Sequence, residues 1–448
     1  MWGSIDRYFQ VSESGSSLRG ELRAALTTFL TMAYILFVNP EILGKAIVVN
    51  DQDLFPQLLT ATALAAAIGS AVMGLAARYP YALAPGMGIN AYFTYSVVLG
   101  QGIDWRVALG AVFVSGALFI ALSVTGVRTL VVDALPAPLK LATSAGIGLF
   151  LAIIGAQGGG LVVDHPATLL TLGDLGAPRA GLCLFGLALT ATLLAIRVRG
   201  AILYGIVCTS ALAVLFGAPV FAGGAPFAGL PGGPIAAPVW PSELFLQLDL
   251  AGAWDLGIVS IVFVFLFVDF FDTAGTLLGL SARTGFADSQ LRLQRSKAAF
   301  TADAVATSAG ALLGTSSTTT YIESAAGIEE GGRTGLTAVF VALMFVASTF
   351  LWPLASAVPG VATAPTLIVV GAMMMSPLQD IEWSDYRVSI PVFLTITMMP
   401  LTYSIANGIA FGIISYALLH AVTGRARDVH VLVYVIAALL IARYAFLG

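Results

Sequence analysis

The sequence predicts an all-α polytopic membrane protein, and three observations lead to this fold class. Hydrophobic residues make up 58% of the 448 residues and charged residues only 10%, whereas a soluble protein carries roughly 25% charged residues. Many apolar stretches approach the roughly 20 residues that a helix needs to cross a bilayer. Lysine and arginine are concentrated in alternate loops, as the positive-inside rule describes. We therefore expect the chain to lie in a lipid bilayer.

The apolar stretches predict about fourteen membrane segments in two halves. The clear segments of the first half are residues 22–43, 57–79, 107–126, 138–155, 180–196 and 201–216. Those of the second half are residues 256–280, 296–313, 336–355, 364–375, 388–399 and 405–419. Residues 81–99 and 315–326 complete the count, although Gly, Pro, Ser and Thr interrupt both. The apolar stretch 431–446 has no assigned place in this scheme.

The basic residues predict the orientation of the chain. If the N-terminus is cytoplasmic and each segment crosses once, only Lys45, Arg106 and Arg179 fall outside, while Arg443 is undetermined. The polar N-terminus shows no cleavable signal, so the first membrane helix should itself direct insertion. We expect a multi-pass protein of the cytoplasmic (inner) membrane, with both termini in the cytoplasm.

The composition argues against a nucleic-acid partner and against a metal site. The net charge is −4, and the chain has no basic run that would bind a phosphate backbone. His165, His420 and His430 are scattered along the chain, and Cys183 and Cys208 lie in apolar segments, where a small packing role is expected. We therefore expect no metal ion and no cofactor.

The two halves of the chain share a pattern. In each half the third segment is irregular, "YALAPGMGINAYFTY" (81–95) in the first and "TSSTTTYIESAAGIEEGG" (315–332) in the second. The fifth segment of each half begins near Pro and carries Gly within the helix. Because each half has an odd number of segments, the second half must run inverted. Interrupted segments at matching places of an inverted repeat indicate the binding site of a transporter.

The irregular segments predict a polar site, because irregular backbone at membrane depth is tolerated only around a polar cavity or inside protein. In "APGMGIN" (84–90), Pro and Gly break the helix, and Asn90 ends the break with an amide that can donate and accept. The Thr-rich stretch before Glu323 suits a short extended piece that leads into a half-helix. The glutamates that follow, Glu329 and Glu330, are expected to be solvated.

Four acidic residues of the second half lie within predicted membrane segments, where a charged side chain costs at least a few kcal/mol. Asp269 and Asp272 stand three apart in "FVFLFVDFFDTAGTLLGL" (263–280), so they are neighbours on one helix; Asp303 and Glu323 follow in the next two segments. Each acid could stabilise a helix end or join two helices. Each could instead bind a polar solute, and a desolvated carboxyl group that exchanges a proton would couple transport to protons.

Five motifs together resemble the AzgA-like purine permeases. They are "TFLTMAYILFVNPEIL" (28–43), "APGMGINAYF" (84–93), "FLFVDFFDTAGTL" (265–277), "ADAVATSAGALLGTSSTTTYIESAAGIEEGGRTGLTAV" (302–339) and "MMPLTYSIANGIAFGIISY" (398–416). These permeases carry hypoxanthine, guanine and adenine and are related to the uracil and xanthine/uric acid permeases. The resemblance covers nearly the whole chain, from about Gly20 to Tyr416.

The resemblance implies fourteen segments in a 7+7 inverted repeat, with short strands in segments 3 and 10. It further implies a proton symporter that imports purines by an elevator-like motion of a core domain against a gate domain, commonly as a homodimer. The implied core domain comprises residues 20–126 (segments 1–4) and 254–355 (segments 8–11). The implied gate domain comprises residues 127–217 (segments 5–7) and 356–448 (segments 12–14 with the C-terminal segment), and residues 218–253 form an external connector.

The resemblance also implies site residues. "FDTAGT" (271–276) is similar to the F-E-S-I-G-D stretch of the uracil and xanthine relatives, which implies that Asp272 and Thr276 bind the substrate. "TYIESAAG" resembles the T-Y-G-E-N motif of the uracil permeases, which implies the same for Glu323. Asn90 matches the Asn of the family motif G-M-G-x-N and is expected to orient the substrate.

Further residues are expected to line this site. Phe29, Tyr34, Phe93 or Tyr321 could stack on a flat purine ring, although packing in the helix core is the alternative for any one of them. The exposed backbone of the broken third segment near Gly88 could donate to ring nitrogens. Glu323, Asp272 and Asp269 are the candidates for proton coupling, and Asp269 has no acidic counterpart in the uracil and xanthine branches.

Other functions fit the sequence less well. A proton symporter for another nucleobase, such as uracil or xanthine, is the closest alternative. An anion transporter or channel of the same fold would favour positive or neutral groups, whereas this site has only acids. An intramembrane aspartyl enzyme needs acids in Y-D and G-x-G-D settings on two helices, and neither motif occurs.

Overall fold

The helices of the computed structural model coincide with the apolar stretches of the sequence. The structure describes residues 2–50, 52–125, 136–221, 233–254, 256–284 and 295–446. Its α-helices are α1 (Trp2–Phe9), α2 (Leu18–Met32), α3 (Ile35–Leu43), α4 (Phe55–Val72), α5 (Met87–Ala91), α6 (Leu99–Gln101), α7 (Trp105–Thr125), α8 (Ala137–Gly158), α9 (Pro178–Ala195), α10 (Ala201–Leu215), α11 (Leu256–Thr284), α12 (Ser296–Leu313), α13 (Ser324–Glu329), α14 (Gly335–Ser348), α15 (Trp352–Ser356), α16 (Gly360–Met373), α17 (Tyr386–Leu401), α18 (Ile405–Val422) and α19 (Val431–Phe446).

Eight spans of the described residues are helical, long and apolar enough to cross a membrane. They are Leu18–Leu43, Phe55–Ala77, Trp105–Ser123, Ala137–Gly158, Pro178–Ala195, Gly335–Ser356, Gly360–Asp380 and Ile405–Val422. Shorter apolar helices are Ala201–Leu215, Ile261–Phe270, Tyr386–Leu401 and Val431–Ala442. The prediction of a helical multi-pass membrane protein is therefore confirmed, while the count of about fourteen crossings stays a prediction. The unplaced stretch 431–446 is a helix that packs on α18.

Two short strands pair where the sequence is irregular. Strand β1 (Leu83–Pro85) lies antiparallel to strand β4 (Thr318–Thr320), with Ala84 opposite Thr319. All six strand residues are buried. Each strand leads towards a short helix, α5 after β1 and α13 after β4. Pro and Gly prevent a continuous helix in the first stretch and the β-branched Thr run favours a strand in the second, so the pairing satisfies backbone groups that lipid could not satisfy.

A second antiparallel pair lies between α8 and α9 and was not predicted. Strand β2 (Val162–His165) pairs with β3 (Leu169–Leu172), and His165 lies opposite Leu169. Its residues are partly or fully exposed. A short polar turn between two apolar runs was the available signal for this hairpin.

The helices pack into two groups. In the first helix group, α12 packs on α4 and α7, α14 packs on α2 and α4, and α13 packs on α2. In the second helix group, α8 packs on α16 and α17, and α9 packs on α10 and α16. The groups meet where α5 lies against α8 and α3 against α16. The irregular segments therefore lie in the first group, beside its contact with the second.

Pairs of glycines bring helices of one group into backbone contact. A Cβ atom on Gly148 of α8 would meet the carbonyl oxygen of Gly371 of α16, and the converse also holds. Gly74, in the π-helical turn after α4, and Gly335, at the start of α14, are related in the same way. Only glycine allows so close an approach of two backbones, so a side chain at any of the four would force these helices apart.

A buried glutamate joins the start of α2 to the start of α14. Glu21 is fully buried. Its carboxylate accepts hydrogen bonds from the backbone N–H of Arg333 at 3.1 Å and from Thr337 Oγ1 at 2.5 Å. A carboxylate near the first turn of a helix is also favoured by the helix dipole. The sequence analysis did not identify this contact.

We expect Glu21→Ala to lower the stability of the folded protein. The substitution removes the acceptor of two buried donors, a loss of about 1–3 kcal/mol for each unsatisfied group. Thermal unfolding of the purified protein in detergent measures the effect, with Glu382→Ala as a control because Glu382 is exposed. Equal unfolding temperatures for the two variants would contradict the assigned role of Glu21.

Candidate functional site

Asp272 and Glu323 lie together where α11 passes the start of the half-helix α13. Their carboxylates are close enough to interact electrostatically, and the phenols of Tyr34 and Tyr321 lie in range of both. Both acidic side chains are half-buried. None of the described residues donates a hydrogen bond to Asp272, so its carboxylate is available to a ligand. The structure thus brings together the two acids that the sequence analysis assigned to the substrate.

Two tyrosines fix the surroundings of this acidic pair. The hydroxyl of Tyr34 donates a hydrogen bond to Glu323 Oε1 at 2.7 Å. The hydroxyl of Tyr321 donates to the backbone carbonyl of Pro85 at 2.7 Å, and Tyr321 N donates to the carbonyl of Ala82 at 3.0 Å. Tyr321 therefore ties the second irregular segment to the first, and its ring lies next to both acids.

Asp269 and Asp303 are fully buried and hold strand β4 against its neighbouring helices. Asp269 Oδ2 accepts a hydrogen bond from Thr307 Oγ1 at 2.9 Å, and Thr307 Oγ1 also lies 3.0 Å from the carbonyl of Thr318. Asp303 accepts from Thr273 Oγ1 at 2.7 Å and from the backbone N–H of Thr320 at 3.0 Å. These contacts show that Asp303 joins helices and strand rather than only complementing a helix end.

Asn90 lies in a buried polar network rather than open to a ligand. Its amide nitrogen donates to Asn39 Oδ1, and its amide oxygen accepts from Ser316 Oγ. Asn39 in turn donates to Thr62 Oγ1 at 2.7 Å and to Thr315 Oγ1 at 3.0 Å. Asn90 therefore positions the two irregular segments. The sequence analysis gave Asn39 no role, although a buried amide in an apolar segment was a signal for one.

The start of α5 carries backbone donors that the protein does not use. The N-cap residue Gly86 has no side-chain capping bond. Among the described residues none accepts a hydrogen bond from the N–H groups of Met87, Gly88 or Ile89. The first N–H groups of α13, by contrast, are bonded to carbonyls three residues earlier. N–H groups without a partner at a helix start favour acceptors, so the two irregular segments differ in this respect.

Thr276, Gly88 and Phe29 are the remaining predicted site residues. Thr276 is half-buried one turn after Asp272 on α11. A Cβ atom on Gly88 would meet the side chain of Ile147 on α8. The absence of a side chain at Gly88 therefore allows the close contact between the two helix groups. Phe29 packs edge-on against Phe345 of α14, with ring centres 5.2 Å apart. Phe29 therefore has a packing contact with α14.

The comparisons with known proteins address the class of protein directly. A model described as a permease family matches residues 19–411. The chain is 43% identical to the guanine/hypoxanthine permease PbuG of Bacillus subtilis, over 98% of this chain and 99% of the relative. The chain belongs to the permease family. The resemblance to purine permeases that the motifs indicated is therefore confirmed.

Further similarities agree with a permease. The chain is 40% identical to the adenine permease AdeP of Escherichia coli, over 99% of this chain and 97% of the relative. The transmembrane domain of the cyanobacterial bicarbonate transporter BicA is similar in fold, with a TM-score of 0.62 and 17% identity over 87% of this chain and 97% of that domain. The family model and the names of PbuG and AdeP identify a permease rather than an enzyme, while the likeness to BicA shows the fold alone.

The permease carries an ion triad where its two helix groups meet. Glu330, at the end of α13, pairs with Arg199 in the loop before α10 and with Arg23 Nε of α2 at 3.0 Å. The Glu330 side chain is only 13% exposed. The expectation that Glu330 is solvated was therefore wrong, because residues distant in sequence supply its partners.

A cavity of about 470 Å³ lies away from the acidic pair of the permease. It is lined by Glu41 and Lys45 near the end of segment 1, by Arg179 of α9 and by Gly360 of α16. The Glu41 carboxylate occupies the space that a Cβ atom on Gly360 would need. This cavity therefore follows the contact between the two helix groups.

Substitution of an intramembrane acid should lower stability when the acid accepts buried hydrogen bonds and should have little effect when it does not. We expect Asp303→Ala to lower the unfolding temperature, because it leaves the buried N–H of Thr320 unsatisfied, at a cost of about 1–3 kcal/mol. Asp272→Ala should leave the unfolding temperature nearly unchanged, since Asp272 accepts no hydrogen bond from the described residues. Thermal unfolding of both variants in detergent provides the test, and a larger loss for Asp272→Ala would refute the division.

Proposed function

We propose that this permease imports purine nucleobases, namely hypoxanthine and guanine and also adenine, by proton symport. The observation that carries the proposal is the half-buried pair Asp272 and Glu323, which lies close to the strand pair and half-helices of both irregular segments. The names of relatives that match the chain almost end to end, the guanine/hypoxanthine permease PbuG and the adenine permease AdeP, support the same substrate class.

The chemistry of a purine matches these groups. Its ring N–H groups are donors, and Asp272 and Glu323 supply carboxylate acceptors. Its ring nitrogens and carbonyl oxygen are acceptors, and the unused N–H groups of residues 87–89 supply donors. The flat apolar face of the ring suits an aromatic neighbour, and Tyr321 lies beside both acids. Thr276 adds a hydroxyl one turn along α11.

Proton coupling follows from the same pair. Moving a carboxylate into a low-dielectric site disfavours its charged form, so a carboxyl group that binds substrate can also carry a proton across the membrane. Glu323 and Asp272 are half-buried and can exchange a proton with entering water. Asp269 is fully buried and bonded to Thr307, so we assign it to the fastening of α11 rather than to proton exchange.

The same proposal includes fourteen crossings in two inverted repeats and motion of one helix group against the other. The first helix group would be the core domain and the second the gate domain, with residues 20–126 and 254–355 in the core. Three observations support this division: the packing of the helices into two groups, the acidic pair within the first group, and the cavity along the contact between the groups. Both termini would lie in the cytoplasm.

Uptake by a purine-transport-deficient bacterium that expresses the chain tests the substrate and the coupling. We expect uptake of radiolabelled hypoxanthine that a protonophore abolishes and that excess guanine or adenine inhibits. Asp272→Asn and Glu323→Gln should each reduce uptake about tenfold or more, because each removes a charged acceptor of a buried hydrogen bond. Glu382→Gln, at an exposed position, is the control.

The outcomes distinguish the alternatives. Absence of purine uptake by protein that is present in the membrane would overturn the substrate assignment. Inhibition by uracil or xanthine, and not by guanine or adenine, would favour the other nucleobase branches. Uptake that is insensitive to a protonophore would refute proton coupling.

A substitution in the ion triad provides a test of the proposed motion. Arg199 belongs to the second helix group and Glu330 to the first, so their ion pair must break if the groups move apart on that side. We expect Arg199→Ala to change the maximal uptake rate about two- to fivefold, the range for an exposed ion pair, with little effect on purine affinity. Arg197→Ala is the matched control, since Arg197 lies in the same loop and has no ion-pair partner among the described residues. Equal rates for both variants would argue against a role of the triad.

A further inference from the structure

Tyr34 lies at a break in the first membrane segment. Helix α2 ends at Met32 and α3 begins at Ile35. At the break the backbone hydrogen bonds join residues three apart instead of four, since Leu36 N bonds to the carbonyl of Ala33 and Phe37 N to that of Tyr34. Such a tightened turn inside a helix is often found at functional positions. It directs the Tyr34 side chain towards the second irregular segment.

The Tyr34 side chain ends at the acidic pair. Tyr34 is 1% exposed, and its hydroxyl donates to Glu323 Oε1 at 2.7 Å. The groups that face Glu323 are the phenol of Tyr34 from segment 1, the phenol of Tyr321 from its own segment and the carboxylate of Asp272 from α11. Among these three, only Tyr34 donates a hydrogen bond to Glu323 in the described residues.

A close helix contact holds this geometry. Half-helix α13 packs on α2, and a Cβ atom on Gly327 would meet Thr28 Oγ1 and the carbonyl of Ala24. Because Gly327 lies one turn after Glu323, this approach sets the distance between Glu323 and segment 1. The hydrogen bond therefore rests on the backbone of two segments and not on the side chains alone.

We propose that Tyr34 is a positioning residue for substrate binding, which holds one oxygen of Glu323 so that the other faces the purine. The inference rests on the proposed function. The phenol fixes the rotation of the carboxylate, and as a donor it stabilises the ionised acceptor form. Without the hydroxyl, Glu323 keeps its reach but loses its fixed orientation and this stabilisation of its ionised form.

The test compares Tyr34→Phe with the wild type and with Tyr416→Phe, a tyrosine of α18 whose ring stacks on His420. For Tyr34→Phe we expect KM for hypoxanthine to rise about three- to tenfold, the scale of one ordinary net hydrogen bond, with a smaller change in the maximal rate per transporter. The pH dependence of uptake should also be displaced. Tyr416→Phe should leave KM and the pH profile unchanged.

A double-mutant cycle separates positioning from packing. In a Glu323→Asp background, where the shorter side chain withdraws the carboxylate from the phenol, Tyr34→Phe should cause little further rise in KM. Additive effects would overturn the proposal, as would a KM and pH profile of Tyr34→Phe equal to the wild type. If the Tyr34→Phe variant does not reach the membrane, the Glu323→Asp variant alone provides the test. An unchanged KM for Glu323→Asp would contradict positioning of the carboxylate by this hydrogen bond. Failure of the wild type to take up any purine would instead refute the proposed function.

Discussion

The rest of the structure depends on the need to satisfy backbone polar groups at membrane depth. Lipid offers no hydrogen bonds, so a break in a membrane helix needs partners from the protein. Here two breaks satisfy each other through the pairing of β1 with β4, and Gly86 N extends the pairing to the carbonyl of Ser317. Once the strands are paired, the short helices after them start at fixed places. The candidate site lies at those starts.

The intramembrane acids differ in how they contact the paired strands and the short helices. Asp303 accepts a hydrogen bond from the backbone of β4, and Asp269 accepts one from Thr307 Oγ1, which lies beside the carbonyl of Thr318 in the same strand. Their carboxyl oxygens accept hydrogen bonds from donors that are buried with them, and satisfied donors are what make a buried polar network stabilising. Asp272 and Glu323 remain half-buried. Asp269 and Asp303 therefore hold the irregular segment in place, and Asp272 and Glu323 are the two acids that we propose bind the substrate.

The sequence predicted the elements better than the contacts between them. Helix α12 begins and ends at the predicted residues, and both interrupted stretches contain the strands. Periodicity and apolar length are local signals, which explains this success. The partners of Glu21, Tyr34 and Glu330 lie hundreds of residues away, and local patterns carry no information about such pairs. Asp272 and Glu323 could be assigned only because whole motifs resembled a known family.

The backbone contacts between paired glycines have a mechanical consequence. Gly148 with Gly371, and Gly74 with Gly335, bring carbonyls against α-carbons, so neither pair of helices can slide without a backbone collision. Each helix group is thereby held together by a backbone contact. The seam between the groups includes side-chain contacts, such as Ile147 against Gly88, and a side chain has alternative staggered rotamers that a backbone contact lacks. Strain that a bilayer of different thickness imposes would therefore be absorbed along this seam and not within either group.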